Sequence, residues 1–99
     1  MKYPALPKSV MGLSGVITVE VVDTLKDDDG TPCWGLWNQI GRRVRVERSA
    51  DKRHEWAVLY HELIHAALDD SGVSNLLSDP HVEALCDAIA AARVRERFG

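Results

Sequence analysis

The hydrophobic period of this chain changes once, near residue 50, and that change restricts the fold more than any other feature. Before it, apolar residues come in short β-branched runs; after it, they recur at helical spacing. The stretch "SGVITVEVVD", residues 14 to 23, is too short and too rich in Val and Ile for a good helix, so a strand is expected over 15–23. "CWGLWNQ", residues 33 to 39, and "RRVRVER", residues 42 to 48, read as two further strands that meet across Gly41 in a β-hairpin. In the second of these, Val44 and Val46 face a core while Arg43, Arg45 and Glu47 face water. Trp34 and Trp37 are three residues apart and so fall on opposite sides of a regular strand. Between the strands, "KDDDGTPCWG" marks an exposed turn; it lacks the alternating spacing and closing glutamate of a calcium loop. Residues 1–13, with Pro4 and Pro7, read as an irregular lead-in.

The second half holds two helices. Ser49 or Asp51 can cap the first, which runs from about Lys52 to Asp70 and ends at Gly72. A loop follows over 71–79. Asp79 as N-cap with Pro80 at the first helical position starts the second helix, expected over about 80–96. The order strand, hairpin, helix, helix predicts a single α+β domain over 1–99, with a small, mostly antiparallel sheet of about three strands packed on two helices.

Composition narrows the function. The net charge of −3 and the lack of a basic run argue against nucleic-acid binding, although Arg42, Arg43, Arg45, Arg48 and Arg53 supply some positive charge. Cys33 and Cys86 fit neither a disulfide framework nor a zinc ribbon, and Cys86 reads as a small buried hydrophobe. The N-terminus has no sustained apolar stretch, and no run approaches the ~20 residues of a membrane span. A cytoplasmic setting with no membrane partner is therefore expected.

The chemistry is concentrated in "VLYHELIHAALDD", residues 58 to 70. His61 and His65 lie one above the other on a helix, so their imidazoles can converge on one cation. Glu62 is turned about 100° away around the axis. It is poorly placed to join the ligands and well placed to take a proton from water at an open position on the ion. That is the physical content of H-E-x-x-H on a helix, and it makes zinc the expected cofactor. The plainer alternative is a helix with two packed, hydrogen-bonded histidines beside Val58, Ile64 and Leu68, at a high cost if the imidazoles lack partners. His54, seven residues before His61, stands about 10 Å along the axis and reads as a surface or first-turn histidine.

Two histidines hold zinc weakly, so a third protein ligand is expected from the second helix. Its apolar stripe, Val82, Leu85, Cys86, Ile89 and Ala90, must pack on the domain. Glu83 and Asp87 share one flank of that stripe, and His81 lies on the other, about 160° from Glu83. The Glu83 flank is favoured, because Glu83 could ligate while Asp87 accepts the free N–H of a ligand histidine. His81 stays open as an alternative third ligand or as an oxyanion stabiliser.

The hairpin "CWGLWNQIGRRVRVERS", then "LYHELIHAALDD", then a helix carrying "EALCD", resembles in that order the compact gluzincin-like zinc metallopeptidases. Among these it resembles the ImmA/IrrE-type group and the small zincins encoded by phages and prophages. The resemblance implies a zinc-dependent peptidase acting on a peptide or protein substrate, with His61, His65 and Glu83 as ligands, Glu62 as catalytic base and Asp87 supporting a histidine. It also implies that the strand bordering the cleft, Trp34, Gly35, Leu36, Trp37 and Asn38, pairs with the substrate backbone. The competing expectation is a non-catalytic, metal-stabilised phage or prophage protein that binds a partner.

Overall fold

A computed structural model describes residues 3–99. Its elements are β1 (Ser9–Gly12), β2 (Gly15–Val22), β3 (Gly35–Asn38), β4 (Arg43–Glu47), α1 (Lys52–Ser71), a 3₁₀ turn (Val73–Leu76) and α2 (Asp79–Phe98). The architecture is α+β: two helices packed on a small sheet, as the sequence implies. No helix among the described residues is long and apolar enough to cross a membrane.

The sheet has four strands in the order β1-β2-β4-β3, one more than expected. The extra one is β1, inside the segment read as an irregular lead-in. It pairs antiparallel with β2 from Ser9↔Thr18 to Gly12↔Gly15. Two prolines disguise it, but both precede the strand, and Ser9 onward has free amides. The preceding stretch is irregular yet packed: the Pro4 carbonyl accepts the Trp56 indole N–H at 2.8 Å, and Tyr3 meets Phe98 edge-on. β3 and β4 form the expected antiparallel hairpin. β2 and β4 are parallel, because the chain crosses to the far edge to lay down β3 before returning between β3 and β2 as β4.

Alternation puts Ile17, Val19, Val44 and Val46 on the helix-facing side, all buried. On the other face Arg43 pairs with Glu20, and just past β4 Arg48 pairs with Asp23. Arg42 departs from the strand pattern. It occupies a left-handed turn at φ 47° and reaches across to Asp70 with both terminal nitrogens, at 2.8 and 2.9 Å. The aspartate-rich turn is held by Asp27, whose carboxylate accepts the N–H groups of Asp29 and Thr31.

Asp51 caps α1, accepting the N–H of Arg53 and His54, and Gly72 ends it in the left-handed region at φ 79°. The start of α2 differs by one residue from the sequence reading: Ser78 is the cap, accepting the His81 N–H, and Asp79 opens the helix ahead of Pro80. The hydroxyl does the capping, and Asp79 in the first turn still complements the helix dipole. The buried stripe of α2 also differs. It is Val82, Cys86, Ala90, Val94 and Phe98, a strict four-residue repeat. Leu85 and Ile89 face solvent, 40% and 41% exposed, because α2 packs along a single partner helix and has room for only one narrow line.

Candidate metal centre

His61 and His65 stand one turn apart on α1, and α2 returns along that face to bring Glu83 and Asp87 to them. The two Nε2 atoms are 3.2 Å apart. One Glu83 oxygen lies 3.1 Å from His61 Nε2 and the other 2.9 Å from His65 Nε2. Asp87 Oδ1 lies 2.8 Å from His61 Nδ1. Both rings are half-buried, while the carboxylates stay open to solvent.

Electrostatics then constrain the cluster. The Asp87 carboxylate accepts only, so His61 Nδ1 carries the hydrogen. A neutral His61 presents Nε2 as a lone pair, aimed at a carboxylate oxygen and at a second imidazole nitrogen. Acceptors gathered this closely repel one another unless positive charge sits among them. Ligand atoms on a tetrahedral zinc, each about 2.0–2.1 Å from it, are about 3.3 Å apart. The observed 2.9, 3.1 and 3.2 Å are close to that edge, so the donor set fits a small divalent ion.

A residue that sequence reasoning assigns to packing alone joins this region. His61, His65 and Cys86 each place one ligand atom within 4.8 Å of the others and form a group able to hold a metal ion. Cys86 is buried as expected. Its thiol is pushed up to about 12, first by burial and then by the nearby carboxylates, Glu83 foremost. Its position three residues after Glu83, one turn along the same helix, is the available signal.

Glu62 lies beside the cluster, 9% exposed, with Oε2 4.0 Å from His61 Nε2. Burial raises its carboxyl above the ordinary range; His65 and His61 counter this, and Glu83 adds to it. Opposite stands Gly35 of β3. A Cβ there would come within 2.5 Å of Val58 Cγ1 and 3.0 Å of Glu62 Cγ, so only glycine lets the strand approach α1 this closely.

These groups line a cleft of about 760 Å³ between β3, α1 and α2. Trp34, Gly35, Leu36 and Trp37 all border it. The two tryptophans thus share one cavity, contrary to the alternation expected of them. Trp34 precedes the regular strand β3, which is an edge of the sheet, and its ring meets His54 edge-on at 4.7 Å. Trp34 is 65% exposed, whereas Trp37 packs against the core. Asn38 does not line the cleft: its side chain accepts the Gly41 N–H in the hairpin turn. His54 does: it lies in the first turn of α1, one of the two placements expected of it, and is half-buried where it borders the cleft.

His81 is exposed on the first turn of α2 and is absent from the cleft walls, as its position about 160° from Glu83 dictates once the Glu83 flank faces α1. Of the sequence-derived set, His61, Glu62, His65, Glu83 and Asp87 come together, and His81 stands apart. Set against known proteins, the chain matches no family model, no curated protein and no solved structure.

Proposed function

We propose that this protein is a zinc-dependent peptidase of compact gluzincin-like type, with His61, His65 and Glu83 as the ligands. The observation that carries the reading is the convergence of two imidazole nitrogens and two carboxylate oxygens at 2.9–3.2 Å, with a buried glutamate alongside. Bound there, zinc would supply a Lewis acid that polarises a carbonyl and acidifies water.

The chain's own groups do the rest. Asp87 holds His61 in the tautomer that frees Nε2. Glu62 takes the proton of the attacking water and passes it to the leaving amine; burial raises its carboxyl above the ordinary range, in the direction that helps it both take and give a proton. β3 offers the substrate a backbone to pair with. Trp34 O already accepts the Glu47 N–H on the β4 side, so the alternation of an antiparallel pair turns the polar groups of Gly35 and Trp37 toward the open edge.

A second reading, a non-catalytic metal-stabilised module, draws on Cys86. A thiolate added to two imidazoles and a carboxylate would close the coordination and leave no position for water. One experiment separates the two. Purified protein is loaded with zinc, and wild type and Glu62→Gln are compared on a peptide mixture by mass spectrometry. The peptidase reading expects equal zinc content and a loss of cleavage of about 10²–10⁴-fold in the variant. Stoichiometric zinc with no cleavage by wild type would favour the closed site.

A further inference from the structure

We infer that Asp69 is a positioning residue that sets the edge of β3 for extended peptides; the inference rests on the peptidase reading. Asp69 lies four residues after His65, on the next turn of the same face of α1, and borders the cleft. Its Oδ2 accepts the indole N–H of Trp37 at 2.9 Å. Its Oδ1 accepts the Ser74 hydroxyl at 2.8 Å, and its backbone carbonyl accepts the Gly72 N–H at 3.1 Å. A single aspartate therefore ties together the edge strand, the histidine helix and the turn that leads to the Glu83 helix.

β3 needs such a tie. It has four residues and a partner on one side only, the kind of element that frays and twists most readily. On the helix side, Gly35 approaches Val58 and Glu62, and Trp37 bonds Asp69. The first fixes how near the strand comes. The second fixes its rotation about its own axis, because the indole is a rigid lever anchored at its far end. Rotation decides whether the Gly35 and Trp37 amides meet an incoming backbone. Asp69 touches no reacting atom in this arrangement; it acts through Trp37. The substrates selected are extended segments that run along β3, in preference to dipeptides that reach only the metal.

The test is a length series of blocked peptides sharing one scissile pair, from dipeptide to decapeptide, with zinc-loaded protein. Wild type should show kcat/KM rising with length, carried mainly by KM. Asp69→Ala should lose about tenfold of the long-to-short ratio, the worth of one hydrogen bond to a charged group, with zinc content retained. Trp37→Phe, which keeps the ring packing, should lose the same ratio, so the result survives if the alanine variant folds poorly. Asp69→Asn keeps an oxygen for the indole but not the charge, and should restore part of the ratio. An undiminished ratio in both Asp69→Ala and Trp37→Phe, or no length dependence in wild type, would overturn the role of Asp69 while leaving the peptidase standing. Failure of zinc-loaded wild type to cleave any peptide would overturn the peptidase reading, and this inference with it.

Discussion

Asp87 Oδ1 sits 2.8 Å from Nδ1 of His61, on the opposite edge of the ring from the nitrogen that faces Glu83 and His65. The carboxylate selects which imidazole nitrogen carries hydrogen and so leaves the other free to donate its lone pair. Replacing Asp87 with Ala should weaken zinc binding by about 10–100-fold without unfolding the helices. Competition against a chromophoric chelator, with circular dichroism alongside, measures both.

The choice between Glu83 and Cys86 as third ligand is open to spectroscopy. Glu83 oxygens approach the imidazole nitrogens to 2.9 and 3.1 Å, whereas the cysteine group spans up to 4.8 Å. Cobalt-substituted wild type should therefore lack an intense thiolate charge-transfer band, and Cys86→Ala should leave its spectrum unchanged. Glu83→Ala should lose most of the metal affinity. A strong near-ultraviolet band that disappears in Cys86→Ala would reassign the ligand.

Gly35 should tolerate no side chain. The methyl group that Gly35→Ala introduces would press on Val58 and on Glu62 itself. The expected cost is about 1–3 kcal/mol of stability, read from the denaturant midpoint, as for other overpacked contacts. Catalysis should fall further than metal binding, because the displaced group is the proposed base and not a ligand.

Acid should act on the fold through Asp70. The Arg42 guanidinium, bonded to both carboxylate oxygens, holds Asp70 below the ordinary aspartate range. The unfolded chain protonates first as pH falls, near about 3.9. The stability from this pair is thus complete above that value and is lost as pH drops through the lower folded value. Asp70→Asn should be less stable than wild type at neutral pH, with the difference shrinking toward strong acid. Urea melts across that range measure it.

Much of the candidate metal centre is legible in the sequence because its signal is local. His61, Glu62 and His65 follow from helical geometry alone, and Glu83 with Asp87 from asking which flank of α2 can face them. What escapes depends on tertiary placement. Cys86 reads as packing because a buried thiol on an apolar stripe has the same pattern whether or not imidazoles lie beyond it. His54 and Trp34 meet only because strand order brings β3 beside α1, and strand order is not written in a strand's own residues. β1 is masked by the prolines before it, and the parallel pairing of β2 with β4 by a connection whose length does not announce where it crosses. The exposure of Leu85 and Ile89 has the same root: a helix period reveals a stripe but not the width of the surface that receives it.

The link between α1 and α2 is a single short turn, and every proposed ligand lies between His61 and Asp87. Bringing them together closes only a small loop, which costs little chain entropy. None of the strands supplies a ligand. A helical hairpin cut from this region could therefore gather an ion before β2 and β4 find their long-range register, so zinc would act early in folding as a nucleus as well as late as a reagent.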